Sequence, residues 1–133
     1  MDNCIFCKIV AGGIPALKVY EDDDCIATLD INPATPGHTL IIPKEHHQDL
    51  TELNGELIGK LFTVAKNVGE KQMERLDAKG FNVVQNNGTV AGQTVMHFHI
   101  HVIPRYEGGP KVATWNPTEP DGGTLKLIRE KLS

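Results

Sequence analysis

The chain has 133 residues, enough for one domain to bury a core of its own. With 40% hydrophobic and 23% charged residues it has an ordinary globular composition, not that of a disordered or fibrous chain. A net charge of −4 excludes the broad basic field that nucleic-acid binding needs, and no apolar run approaches the roughly 18–20 residues of a membrane span. No basic start followed by an apolar run marks a signal peptide, so a cytoplasmic protein is expected, without nucleic-acid or membrane partners.

In chain order, Cys4 to Val10 reads as an apolar turn or helix start carrying a Cys-x-x-Cys pair, and Gly12-Gly13-Ile14-Pro15 breaks it. Leu17 to Glu21 and Cys25 to Asp30 flank the acidic turn Asp22-Asp23-Asp24 and predict an antiparallel hairpin. Three cysteines, an odd number, argue against a closed disulfide framework, and Cys25 reads as a small buried hydrophobe. After the loop Asn32 to Gly37, a third strand runs from His38 to Ile42 and closes at Pro43.

From a cap at Asn54 or Thr51, a long helix runs without proline to about Asp77, with Leu57, Leu61, Val64, Val68 and Leu76 at helical spacing. Phe81 to Gln85 forms a fourth strand, followed by the polar loop Asn86 to Thr94 and then a strand of alternating histidines. Beyond Arg105 come two Gly-Pro-rich stretches around Trp115 and a C-terminal helix from about Thr124 to Leu132. This order predicts an α+β fold: an antiparallel sheet, the long helix on one face, the other face open to the histidines and a ligand. With no repeat and no linker, residues 1–133 read as a single domain.

The alternation His97-Phe98-His99-Ile100-His101-Val102 places the three histidines on one strand face and the apolar residues on the other. Neighbours on that face lie about 6.6–6.8 Å apart, too extended for one compact cluster, so the three imidazoles are positions with different jobs. Two histidines at i and i+2 can share a metal ion. A neutral imidazole, with an ordinary pKa of about 6.5, is also a competent nucleophile towards phosphorus, and His99 is the best placed to attack. The preceding loop supports an anion: Gly88 and Gly92 let backbone amides approach closely, and Asn86, Gln93 and Thr94 offer donors.

His97-Phe98-His99-Ile100-His101-Val102-Ile103 resembles the His-φ-His-φ-His-φ-φ motif of the histidine-triad (HIT) superfamily of nucleotide hydrolases and transferases. Cys4 to Ile9, Val19 to Asp23, Asp30 to Pro33, Pro36 to Pro43 and Asn86 to Thr94 match in family order and spacing, in a pattern similar to the bacterial Hint-like branch. The resemblance implies a HIT-like fold of five antiparallel strands, one long helix and a short C-terminal helix, paired into a homodimer through the long helix and a strand. It implies hydrolysis of nucleoside 5′-monophosphate derivatives, such as AMP- or GMP-linked phosphoramidates, through a nucleotidyl-histidine intermediate. His99 would be the nucleophile, His101 a phosphate contact, and His38 the residue that backs the nucleophile and holds its tautomer by a hydrogen bond. Asp30 would bind the ribose hydroxyls, Phe6 and Ile31 the base, and Asn86, Gly92, Gln93 and Thr94 the phosphate and leaving group.

The cysteine pair belongs to a second site. Cys-x-x-Cys with two suitably placed histidines can form a closed, structural Cys₂His₂ zinc site; reduced free thiols are the alternative. A thioredoxin-like redox pair would need a βαβ context that is missing here. The resemblance completes the zinc site with His46 and His97, with His47 the competitor to His46, and implies no organic cofactor. Two other functions remain open: a dinucleoside polyphosphate hydrolase, sharing Ala91 to Val95 and the Val102 to Arg105 ending, and a nucleotide-binding interaction module with incidental hydrolysis.

Overall fold

The computed structural model describes residues 3–110, 112 and 115–133. A short helix α1 (Ile5–Val10) is capped by Cys4, whose sulfur accepts the amide of Cys7 at 3.3 Å. The predicted hairpin forms as β1 (Lys18–Glu21) and β2 (Cys25–Leu29), joined by a turn in which the Asp22 carboxylate accepts the amides of Asp24 and Cys25. β3 (Thr39–Pro43) pairs antiparallel with β2. The long helix α2 spans Gly55–Arg75; Asn54 caps it by accepting the Leu57 amide at 2.8 Å, while Thr51 lies in a separate 3₁₀ turn. β4 (Gly80–Val84) and β5 (Ile100–Arg105) complete one antiparallel sheet of order β1-β2-β3-β5-β4. α3 (Gly122–Leu132) follows, and every one of its residues is exposed.

The sheet buries two faces, as the α+β reading requires. On one, Leu61, Val64, Ala65 and Val68 of α2 pack with Ala27, Ile41, Phe98, Ile100 and Val102. Gly69 lets the helix settle onto Phe81, whose ring occupies the space a Cβ would take. On the other face, Phe6 of α1 packs with Ile26, Leu40 and Ile42, with Ile9, Val10 and Val95 at its margin. Only one face therefore carries the long helix, which leaves the other for a short helix and a cavity.

The histidine segment divides as the alternation predicts, with Phe98, Ile100 and Val102 in the core under α2. It differs in one respect: ladder pairing begins at Ile100, so His97 and His99 precede the paired strand. The cause is local. The Phe98 amide is taken by the His47 carbonyl, and the Pro43 carbonyl at the end of β3 bonds the His97 ring.

Candidate active site

Four histidine rings have their tautomers set by their surroundings, because a carbonyl oxygen can only accept and an amide N–H can only donate. Nδ1 of His99 lies 2.8 Å from the His97 carbonyl, so Nδ1 carries the proton and Nε2 keeps a bare lone pair. Nδ1 of His38 accepts the Ala34 amide at 3.0 Å, which puts the His38 proton on Nε2. That Nε2–H points at Nδ1 of His101, 2.9 Å away, with an Asp30 carboxylate oxygen at 3.6 Å. His101, accepting at Nδ1, is then a donor at Nε2. The result is a one-way relay, Ala34 N–H to His38 to His101, beside His99, whose tautomer is held separately.

This corrects the expected role of His38. It does not hydrogen-bond His99; the His97 backbone holds the tautomer of His99, and His38 acts on His101 instead. The physical reason is direction: β3 and β5 pair Leu40 with His101, so the chain entering β3 lies next to His101. The same tautomer argument decides the Asp30, His38 and His101 group, whose ligand atoms are close enough for a metal ion. With Nδ1 accepting the Ala34 amide, His38 would have to give up its one remaining N–H and become an imidazolate to bind a metal at Nε2, so this cluster is a hydrogen-bond relay.

His99 and His101 open into a cavity of about 470 Å³, within the range of small-molecule sites. Asp30 lies on its wall with one carboxylate oxygen anchored by the Asn32 amide at 2.8 Å. Phe6 and Ile31 line it as expected; Phe6 is buried edge-on against His99, whereas Ile31 is 87% exposed. Leu29 and Thr28, which stand where family members carry pocket residues, line it too, and Ile9, Pro15, Leu17, Leu40 and Val95 complete an apolar wall that motif reading missed. Their signal was present only as ordinary apolar residues, at the end of α1, before β1, in β3 and in the loop before the histidines.

The loop before the triad separates its predicted residues. Thr94 is exposed on the cavity wall, while Asn86 and Gly92 approach each other within the loop and do not line the cavity. Gln93 departs from the expectation of a ligand contact. It is buried, its amide oxygen accepts the Gly88 amide at 2.8 Å, and its amide nitrogen donates to the carbonyls of Gln48 and Val95. Both ends of that amide are committed, so Gln93 clasps the loop shut.

Burial lowers the pKa of His99 and His38, the latter against the pull of Asp30, and pushes His101 down to about 4 with help from the neighbouring histidines. All three are neutral bases near pH 7. The sign for stability follows: each folded value lies below the ordinary 6.5, so the unfolded chain binds more protons as the medium acidifies. Their contribution is complete above about pH 6.5 and is lost as the pH falls through each lowered folded value, which for His101 is about 4. The urea midpoint of a Cys4→Ser/Cys7→Ser protein, which removes thiolate–metal linkage from the measurement, should fall between about pH 7.5 and about pH 5. Equal midpoints would refute the assignment of neutral buried histidines.

Behind the triad, Cys4, Cys7, His46 and His97 form a group that could hold a metal ion. His97 is fully buried and donates Nε2–H to the Pro43 carbonyl at 2.9 Å, leaving Nδ1 bare. That Nδ1 lies 3.3 Å from the Cys4 sulfur, 3.5 Å from the Cys7 sulfur and 3.1 Å from Nδ1 of His46, and Cys7 is 3.3 Å from His46. Zinc bonded to sulfur at about 2.3 Å and to nitrogen at about 2.0–2.1 Å gives tetrahedral edges of about 3.3–3.6 Å wherever a nitrogen takes part, so the donor set fits with little adjustment. The choice between neighbours is also made: His47 turns to Glu45 at 3.1 Å, and His46 faces the sulfurs.

Comparison with known proteins agrees with this architecture. The crystal structure of SMU.412c from Streptococcus mutans matches with a TM-score of 0.92 and 42% identity, covering 99% of this chain and 84% of that one. A zinc-bound histidine triad family protein from Mycobacterium smegmatis matches with a TM-score of 0.79 and 40% identity, over 98% of this chain and 94% of that one. Adenylylsulfatase HINT3 of Arabidopsis thaliana is 42% identical over 129 residues, which is 97% of this chain and 64% of the relative. The HIT domain family profile matches residues 11–108. The family profile, these relatives and the shared fold lead to one conclusion: the chain belongs to the histidine-triad (HIT) family.

Proposed function

We propose that this protein is a nucleotide hydrolase that cleaves nucleoside 5′-monophosphate derivatives, phosphoramidates above all, at the α-phosphorus. The observation that carries the reading is His99: Nδ1–H is donated to the His97 carbonyl, and the bare Nε2 belongs to a ring on the wall of the cavity that Asp30 and His101 share. In the first step Nε2 of His99 bonds phosphorus as the bond to the leaving amine breaks. His101, kept as an Nε2–H donor by His38, hydrogen-bonds a phosphoryl oxygen where charge builds. Water then attacks phosphorus, the phosphorus–nitrogen bond to His99 breaks, and the nucleoside monophosphate leaves with the free imidazole restored.

In this reading the Asp30 carboxylate accepts the ribose hydroxyls, and Phe6, Ile31 and the apolar wall take a purine base. Thr94 offers its hydroxyl at the phosphate end, with Asn86 and Gly92 shaping the loop behind it. Cys4, Cys7, His46 and His97 hold zinc as a structural ion and fix α1, whose Phe6 borders the nucleophile. Residues 1–133 act as one HIT domain, and two copies associate as a homodimer. The support for pairing is exposed apolar surface at the β4 edge, Val83 and Val84, and on α2, Phe62 and Met73. No helix among the described residues is long and apolar enough to cross a membrane, in keeping with a cytoplasmic role.

The test is a substrate panel with intact-mass detection. Adenosine and guanosine phosphoramidates should be turned over faster than diadenosine tri- and tetraphosphates, with a transient protein adduct of one nucleotidyl group. Faster turnover of the dinucleotides would move the assignment to a dinucleoside polyphosphate hydrolase. AMP binding without any adduct or turnover would leave only a binding module.

A further inference from the structure

Gln72 is the only polar side chain on the buried face of α2. Its Nε2 donates twice, to the Gly37 carbonyl at 3.1 Å and to the Val102 carbonyl at 3.0 Å. Gly37 immediately precedes His38, and Val102 immediately follows His101. One amide therefore holds the backbone beside each of the two histidines whose rings meet at 2.9 Å.

The approach is built into the chain. Gly37 has φ +96°, a left-handed conformation that favours glycine, and the end of the Leu76 side chain, just past α2, lies 2.6 Å from where a Cβ would stand. Thr39 Oγ1 adds a second donor to the same Gly37 carbonyl at 2.8 Å. Neighbouring ties, from Thr35 to the Pro104 carbonyl and from Tyr106 to the Pro36 carbonyl, secure the loop but reach no residue next to His101. The amide oxygen of Gln72 is buried without a partner. An apolar side chain would fill the same space without orphaning an acceptor, so what the amide adds is its pair of donated bonds.

We propose that Gln72 is a positioning residue that sets the His38–His101 hydrogen bond, and with it the donor face that His101 presents to phosphate. The second half of that statement rests on the hydrolase reading; the first half stands on geometry alone.

Gln72→Met keeps the length of the side chain and removes both donors. In ¹⁵N spectra of the imidazoles, the His38 and His101 resonances should shift away from their hydrogen-bonded pattern, while those of His99, held by the His97 carbonyl, stay in place. The rate of adduct formation should fall roughly tenfold with KM little changed, as expected of a misaligned group rather than a lost binding contact. Leu76→Ala loosens the packing under Gly37 without touching a donor and should leave the His38 and His101 resonances where they are. Unchanged His38 and His101 resonances in Gln72→Met, or the same shift in Leu76→Ala, would overturn the proposal. Should Gln72→Met not fold, the wild-type Gln72 side-chain amide decides: both protons should be protected from exchange, and free exchange overturns it. A wild type that forms no adduct would sink the hydrolase reading alone, since the spectra test the positioning role independently.

Discussion

Replacing His99 with alanine should abolish the nucleotidyl adduct and lower turnover of an adenosine phosphoramidate by roughly 10⁴–10⁶-fold, the scale seen when a covalent nucleophile is removed. The size follows from what the site supplies. Nε2 of His99 is the only bare imidazole nitrogen assigned to the cavity; His38 is committed to the Ala34 amide and His101, and His101 accepts at Nδ1. No neighbouring ring can take over without reversing a tautomer that the backbone holds. AMP affinity should change little, because Asp30 and the apolar wall remain. Turnover within a few fold of wild type, measured with substrate in excess, would remove His99 from the mechanism.

Taking away the metal should produce the second large effect, on stability. A zinc ion held at a thousand times its dissociation constant stabilises the folded state by about 4 kcal/mol, which in a domain of this size shifts Tm by roughly 10–15 °C. Cys4→Ser/Cys7→Ser, or a strong chelator, should show that loss by calorimetry together with a zinc-to-protein ratio near zero. The damage should be uneven. α1 is six residues long, too short to persist in water unaided, whereas the sheet and α2 have a core of their own. Hydrogen exchange should therefore rise first in α1, and nucleotide affinity should weaken because Phe6 and Ile9 lose their place on the cavity wall. A wild-type Tm in the metal-free protein would show that the four residues need no ion.

The alternation around the triad made the core residues legible, since Phe98, Ile100 and Val102 had no other face to occupy. The spacing of Leu61, Val64 and Val68 revealed α2 in the same way. The contacts of individual polar groups were far less visible. Choosing His101 over His99 as the partner of His38 needs the register of β3 against β5, which no local pattern encodes, and only the family resemblance favoured His46 over its neighbour His47. Gln93 looked like a ligand contact because a polar residue in a glycine-rich loop has that composition, yet the fold closes its amide on three backbone groups. Gln72 was invisible for the opposite reason. It stands between Val68 and Leu76 in a stripe of apolar residues, where a single polar residue reads as a gap.

His97 makes two features of the molecule inseparable by mutation at that position. Its ring faces the cysteines through Nδ1 and the Pro43 carbonyl through Nε2, while its own carbonyl holds the proton of His99. A change at His97 would disturb both the group that could hold a metal ion and the backbone that holds the His99 tautomer, and loss of activity in such a variant would not identify which was damaged. Cys4 and Cys7 have no hydrogen bond to His99, His38 or His101, so a change at the sulfurs spares the bonds that hold those three rings and reaches the cavity only through Phe6 and Ile9 of α1.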